Sequence, residues 1–393
     1  PLLTVETLVK GGDGLARVDG GVWFIPETVP GDRILCRPLE STGRYTRARL
    51  EKILEASSQR VEPPCPLASR CGGCPWQHIH LAQQRRAKIQ IVRDLFTRSL
   101  PPASASLKAL EAIDYISMDG DGLSWRNRFQ FHRSDNSDLS VSPVGLMDMG
   151  GQRVVPLSDC PIAEPGIQRA LKEKSLKAPL SQNRFTVYAR DDLFLCEGQK
   201  EEGLVRILDR ELRLSAALFF QSNALMLERL LQSILSILPG VDRDRPALDL
   251  YAGVGTFSVF LKDHFPSLIL MEKERRSLAL ARENLKGAAA SFHALSDDEW
   301  VRLQDRDRAK HKAPSQAGLA IVDPPRAGLS ERMRNYLASS GIPTIVSVSC
   351  DPASHARDVS ALEKAGYGLS SLTLFEFYPH SPHIESLALL ERR

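Results

Sequence analysis

One residue near the end of the chain stands where it could do covalent chemistry. Cys350 ends the strand-like run of the stretch IVSVSCDP. Ile345, Val346 and Val348 form the short apolar run of a buried strand. Asp351 and Pro352 then force a turn, because proline lacks an N–H and disfavours helix in the residue before it. The thiol therefore stands at the carboxyl end of a strand, where open α/β sheets bind ligands. As a thiolate it would be a nucleophile. Taken alone, a buried structural cysteine is an equally good reading, since free cysteine is often simply core.

Three further cysteines are clustered. Cys65, Cys71 and Cys74 occur in CPLASRCGGCPW, and Gly72-Gly73 lets the backbone fold tightly around a metal centre. Cys160, in DCPIAEP, is the best fourth ligand because a proline turn follows it. Four thiolates hold tetrahedral zinc or an iron–sulfur cluster, and generic chemistry leaves both open.

Glycines and carboxylates mark another site. ALDLYAGVGTFSVFL reads as strand, turn and helix, with Gly253 and Gly255 letting a ligand approach the helix N-terminus. A second strand, LILMEKE, ends in Glu272, placed about 20 positions on to bind ribose hydroxyls. This suits a dinucleotide or S-adenosylmethionine. Ser258 replaces the third glycine of a dinucleotide fingerprint, which favours the methyl donor, since that has no diphosphate to cradle. GLAIVDPPRAGLS repeats the pattern, with Asp323 at the strand end facing cofactor and substrate and Arg326 free for phosphate.

The elements that must position these groups occupy a chain of 393 residues, enough for two or three domains. Apolar content of 42% and charged content of 25% are those of a globular protein. No run approaches the roughly 18 apolar residues of a membrane helix, and no signal pattern opens the sequence. The expectation is a cytoplasmic monomer. Seven cysteines, three of them close together, fit metal binding or catalysis in a reducing compartment better than disulfides. Net charge is only +3, but residues 1–100 hold 15 Lys and Arg against 10 Asp and Glu. That bias fits a polyanion-binding module and equally an ordinary solvated surface.

Residues 1–58 read as a small β-barrel, with short alternating strands between glycine-rich turns. Arg44, Arg47 and Arg49 suit phosphate contacts or, equally, a charged edge strand. Residues 77–98 form an amphipathic helix with a basic face. Residues 59–215 otherwise make a β-rich central domain, and residues 216–393 an α/β domain with a doubly wound parallel sheet. Asn223 caps a helix near 224. The charged stretch 297–316 reads as a solvated loop without function. Asn284 reads as structural, and His380 with His383 as polar loop residues rather than a metal pair.

Several segments carry a family resemblance. VKGGDGLARVDGGVWFIPETVPGDRI resembles a TRAM domain, an OB-like RNA-binding barrel. The cysteine segment resembles the [4Fe–4S] site of the RNA 5-methyluridine methyltransferases, with zinc as the alternative. FFQSN, LDLYAGVGTF, DPPRAG, SCDP and PHSPHIESLALLER follow in the order of the RNA uracil-5-methyltransferases. The resemblance spans nearly the whole chain. It implies a Rossmann-like class I methyltransferase domain, a TRAM barrel, and a central domain carrying the cluster on Cys65, Cys71, Cys74 and Cys160. It implies that Gln221, Tyr251, Gly253, Thr256, Glu272 and Asp323 line the S-adenosylmethionine site, although Thr256 replaces the asparagine of many relatives. It implies Cys350 as nucleophile on uracil carbon 6 and Glu385 as base. It places Arg126 and Arg128 near the RNA, where a solvated strand edge is the plainer alternative. The substrate implied is 23S rRNA ahead of the tRNA T-loop. A non-catalytic RNA-binding factor on the same fold, and a methyltransferase acting on nitrogen, are the competing readings.

Overall fold

A computed structural model describes residues 1–133, 144–176, 182–309 and 317–393. Residues 141–143, in the expected strand VSPVGLMDM, and 310–316 of the charged stretch lie outside the described residues.

The amino-terminal part is a six-stranded sheet: β1 (Leu2–Thr4), β2 (Thr7–Leu8), β3 (Gly14–Val18), β4 (Gly21–Ile25), β5 (Arg33–Ser41) and β6 (Tyr45–Glu55). The strands pair in the order β1-β5-β6-β4-β3-β2. Its two edges, β1 and β2, are consecutive pieces of one kinked segment, which bonds β5 with its first half and β3 with its second. Among the described residues no ladder pairs β1 with β2, so the sheet is not closed into the expected barrel. Leu3, Val5, Ile25, Ile34 and Cys36 fill the small core.

Helix α1 (Leu81–Ser99) follows, then β7 (Asp114–Ile116). The central sheet comprises β8 (Arg128–Arg133), β9 (Val144–Met147) and β10 (Val154–Pro156), then, after α2 (Pro165–Lys172), β11 (Arg184–Arg190) and β12 (Leu193–Cys196). It is antiparallel, in the order β10-β9-β8-β11-β12, over a core that includes Phe129, Phe131 and Phe185. A hairpin of β13 (Glu202–Ile207) and β14 (Arg210–Ser215) leads to α3 (Ala224–Ile237). Asn223 caps α3 as expected, its side chain accepting from the Met226 N–H at 3.1 Å.

The carboxyl-terminal layer alternates β15 (Ala247–Leu250), α4 (Thr256–Leu261), β16 (Leu268–Met271), α5 (Arg275–Asn284), β17 (Ala290–His293), α6 (Asp297–Ala309), β18 (Leu319–Val322), α7 (Glu331–Ser340), β19 (Thr344–Ser349) and α8 (Pro352–Lys364). It ends in β20 (Tyr367–Phe375) and β21 (Glu385–Arg392). Strand order is β17-β16-β15-β18-β19-β21-β20-β7. β15 to β19 are parallel, and β21 runs antiparallel between β19 and β20. Winding reverses between β15 and β18, the switch point where such sheets open a crevice. β15, β18 and β19 are buried throughout, which explains why they are mostly apolar, with only Asp249 in β15 and Thr344, Ser347 and Ser349 in β19 as polar members. This is the doubly wound, mostly parallel sheet that the strand–helix alternation predicts.

Two elements depart from the expected boundaries. β7 pairs with β20 and extends this sheet, and α1 lies on α8, with Phe96 edge-on to His355. Both precede residue 216 yet join the carboxyl-terminal layer, β7 by pairing with β20 and α1 by packing on α8. The charged stretch from 297 is also not a loop: its described part begins as α6. Among the described residues no helix is long and apolar enough to cross a membrane.

Candidate active site

A cavity of about 860 Å³ opens at the carboxyl ends of β15, β16, β18 and β19. Gln221, Tyr251, Gly253, Glu272, Asp323, Cys350 and Glu385 all line it. Seven of the eight residues assigned to catalysis and cofactor from sequence therefore meet in one space. Thr256, the eighth, opens α4 and is not among the lining residues.

The turn after β15 explains how the cavity gets its wide end. Tyr251, Gly253 and Gly255 all take positive φ, at 67°, 53° and 80°. At Gly255 a Cβ would meet Ala281 at 3.2 Å, so glycine is needed for helix α4 to approach α5. Tyr251 has no such excuse: a bulky residue in this region is strained, and strain of this kind gathers at functional sites. Its hydroxyl donates to Asp297 Oδ2 at 2.8 Å. Glu272 accepts the Gly253 N–H at 2.9 Å and the Glu274 N–H at 2.7 Å, which fixes its carboxylate at the end of β16. Asn284 is structural, as expected, tying α5 to the Arg213 and Val254 carbonyls.

The other end is built by register. β19 pairs with β21 through Ser349 opposite Ser386. Cys350 directly follows the last paired residue of β19, and Glu385 directly precedes that residue's partner on β21, so the end of this ladder brings both segments to the cavity. Beneath them the Ser386 hydroxyl donates to the Ser349 carbonyl at 3.2 Å and meets His355 Nδ1 at 2.7 Å. Tyr378 and His383, ring to ring at 5.6 Å, form the adjoining wall.

Burial dominates the electrostatics here. The Cys350 thiol is pushed up to about 11 by burial, then by Glu385 and Asp323, with Arg326 opposing. Glu385 is raised well above the carboxylate range by burial and by Asp323. Asp323 is raised by burial. His383 falls to about 4, mainly through burial, so the imidazole is neutral. The pair of carboxyls can therefore hold or accept protons at neutral pH, which suits acid–base work.

Sequence reading missed several lining groups: Phe219, Met271, Asp297, Asp298, Tyr378 and His383. Only the position of Phe219 beside Gln221 gave a local signal. Arg126 and Arg128 are not a solvated edge. Arg126 lies over the Phe129 ring, and Arg128 donates to the Leu218 carbonyl at 3.0 Å and covers Phe219. His380 is a buried structural residue, with Nε2 at 2.9 Å from the Asp121 carbonyl.

The four clustered thiols also come together. Cys65, Cys71, Cys74 and Cys160 line one small cavity with Gln77, Leu146 and Leu157. Gly72 is required there, since a Cβ would lie 2.7 Å from the Asp148 carbonyl. Burial pushes Cys74 and Cys160 up to about 12. Even so, among the described residues no group of three or more His, Cys, Asp or Glu side chains is arranged to hold a metal ion.

Comparison with known proteins decides the lineage. Residues 193–393 match the family model described as tRNA (uracil-5-)-methyltransferase. An RNA methyltransferase of uncharacterised specificity from Treponema denticola is 30% identical over all of this chain and 99% of its own. The chain belongs to the RNA uracil-5-methyltransferase family. A 23S rRNA (uracil(1939)-C(5))-methyltransferase of Halomonas elongata is 28% identical over 99% of this chain and 89% of its own. The fold is shared with the Pyrococcus abyssi tRNA (uracil-54, C5)-methyltransferase bound to S-adenosyl-L-homocysteine, at a TM-score of 0.73 and 20% identity over 99% of this chain and all of that one. As a uracil-5-methyltransferase, this enzyme takes its methyl group from S-adenosylmethionine and acts on RNA.

Proposed function

We propose that the protein methylates carbon 5 of a uridine in 23S rRNA, with Cys350 as nucleophile and Glu385 as base. The observation that carries this is that Cys350, Glu385 and Asp323 line one cavity, where the β19–β21 ladder ends at Ser349 and Ser386. Carbon 5 of uracil is a poor nucleophile. The Cys350 thiol first loses its proton to solvent; addition of the thiolate sulfur to carbon 6 then forms the C–S bond and moves the ring electrons into an enolate. Carbon 5 takes the methyl group, leaving S-adenosyl-L-homocysteine. Glu385 removes the remaining proton from carbon 5, and the electron pair expels the Cys350 sulfur as thiolate. S-adenosylmethionine, when bound, supplies the methyl group and a positive sulfonium in a mostly acidic cavity. Gln221, Tyr251, Gly253, Glu272 and Asp323 hold it, while Thr256 shapes the turn from behind. Carbon 6 is reachable only in an unstacked base, so the target is a loop or flipped nucleotide.

Relatives named for 23S rRNA support that substrate ahead of the tRNA T-loop. The amino-terminal sheet carries Arg44, Arg47 and Arg49 for the backbone, with Arg47 over Tyr45. Cys65, Cys71, Cys74 and Cys160 hold a [4Fe–4S] cluster with a structural role. One zinc ion needs four sulfurs within about 2.3 Å of one point, whereas a cluster is held at its corners by more widely spaced thiols. The enzyme works as a cytoplasmic monomer.

Cys350→Ala abolishes methyl transfer while RNA still binds, and only the parent protein forms a denaturation-resistant adduct with 5-fluorouridine RNA. Equal trapping by the variant refutes the nucleophile. Mapping 5-methyluridine in rRNA and tRNA from cells lacking the protein identifies the target. Anaerobic purification yields about four iron and four sulfide per chain; a single zinc ion selects the alternative.

A further inference from the structure

The glycine-rich turn between β2 and β3 reaches out of the amino-terminal sheet and touches both sides of the catalytic pair. Lys10 Nζ lies 2.5 Å from Asp351 Oδ2. Asp351 directly follows Cys350, and its other oxygen accepts the Ala353 and Ser354 N–H groups at 3.1 and 2.9 Å, capping α8. Two residues on, the Gly12 carbonyl accepts the Trp76 Nε1–H at 3.0 Å. A Cβ on Gly12 would stand 3.0 Å from Trp76 Nε1 and 3.1 Å from Pro382, three residues before Glu385. Trp76 in turn donates its backbone N–H to the His380 carbonyl at 2.9 Å.

We infer that the Lys10–Gly12 turn is a positioning element of the active site: Lys10 neutralises Asp351 beside the attacking thiol, and Gly12 seats the segment that leads into Glu385. The physical reason is charge. The reaction creates a thiolate and then an enolate next to Asp351. Without a cation beside it, that carboxylate repels both. Lys10, from the turn between β2 and β3, cancels it, and among the described residues it is the one cation ion-paired with Asp351. The amino-terminal sheet is then needed for the chemical step as well as for holding RNA. The inference rests on the proposed methylation for its rate test, and on the geometry alone for its chemical test.

The experiment uses the full-length protein. In RNA-free enzyme, alkylation of Cys350 by iodoacetamide at about pH 8 is read on the Cys350 peptide by mass spectrometry. Lys10→Met slows it about threefold, and Lys10→Arg restores it. With S-adenosylmethionine and unmodified rRNA from cells lacking the protein, Lys10→Met lowers the single-turnover rate at saturating RNA about five- to tenfold, and RNA affinity stays within about twofold. Adding Asp351→Asn to Lys10→Met brings the alkylation rate back toward that of the parent, because the repelling charge is removed with its partner. Gly12→Ala lowers the rate and Gly11→Ala does not. Both glycines have φ near 100°, so both carry the backbone cost, but nothing lies within 4 Å of a Cβ at Gly11. An unchanged alkylation rate in Lys10→Met, or weakened RNA binding with an unchanged rate at saturation, overturns the inference. A parent enzyme that alkylates as described but transfers no methyl group to this RNA counts against the substrate assignment and leaves the turn's role standing.

Discussion

Half-buried Asp323 and fully buried Glu385 are two carboxyl groups that line one cavity, and both act to keep the Cys350 sulfur protonated. An enzyme whose nucleophile rests as a thiol is protected from oxidation and stray alkylation until its substrates arrive.

That arrangement fixes a pH dependence. With the thiol pushed up to about 11, alkylation of Cys350 in RNA-free enzyme climbs roughly tenfold per pH unit below that value, because only the thiolate reacts. Asp323→Asn removes a negative neighbour, lowers the thiol pKa and quickens alkylation at about pH 9, where the aspartate of the parent is ionised. A slower rate in the variant contradicts the sign.

Glu385→Gln blocks the last proton removal but leaves sulfur addition intact. Multiple turnover falls about a thousandfold, within the usual contribution of a positioned base. A covalent RNA–protein band accumulates on denaturing gels with ordinary uridine RNA. Rapid turnover with no band removes Glu385 from its role.

Tyr251→Phe deletes the bond to Asp297 and leaves that carboxylate facing the cavity without its donor. An unpaired partner of this kind costs about 1 kcal/mol, so the Michaelis constant for S-adenosylmethionine rises about fivefold. The rate at saturation is little changed. Titration calorimetry with S-adenosyl-L-homocysteine gives an independent reading, and unaltered affinity there excludes Asp297 from the site.

Asp249 lies under the cofactor turn with Oδ2 bonded to Ser258 at 2.6 Å and Oδ1 without a partner, and burial pushes it up to about 7. A carboxyl whose folded pKa is raised binds its proton more tightly in the native state. Its cost is therefore absent below the unfolded value near 4 and grows as pH rises toward 7. Asp249→Asn removes that slope and stabilises the protein at pH 8 by about 1–3 kcal/mol. Parallel pH profiles of melting temperature for the two proteins refute it.

Much of the site was legible because its residues end strands or open turns. Cys350, Asp323 and Glu272 each follow a short apolar run that can only be buried strand, and the crevice lies where such strands stop. Asp297 was not legible. It begins a helix so charged that no apolar period announces it, and its place at the cavity is set by the Tyr251 hydroxyl. β7 was not legible either. Three residues with no pattern of their own become a strand because Thr373–Phe375 offers them an edge more than 250 positions away. Arg126 and Arg128 look solvated in sequence because charge reads as surface until a ring covers it.

The insertion of β21 between β19 and β20 has a consequence for the order in which the enzyme comes alive. Translation delivers both neighbours before the strand that must slide between them. On the proposed mechanism, a nascent chain thus carries its amino-terminal sheet, its methyl-donor crevice and its attacking sulfur while still lacking the group that releases product. Competence arrives with the closing of one late ladder, so an unfinished or frayed molecule is poised to become stuck to its RNA rather than to modify it.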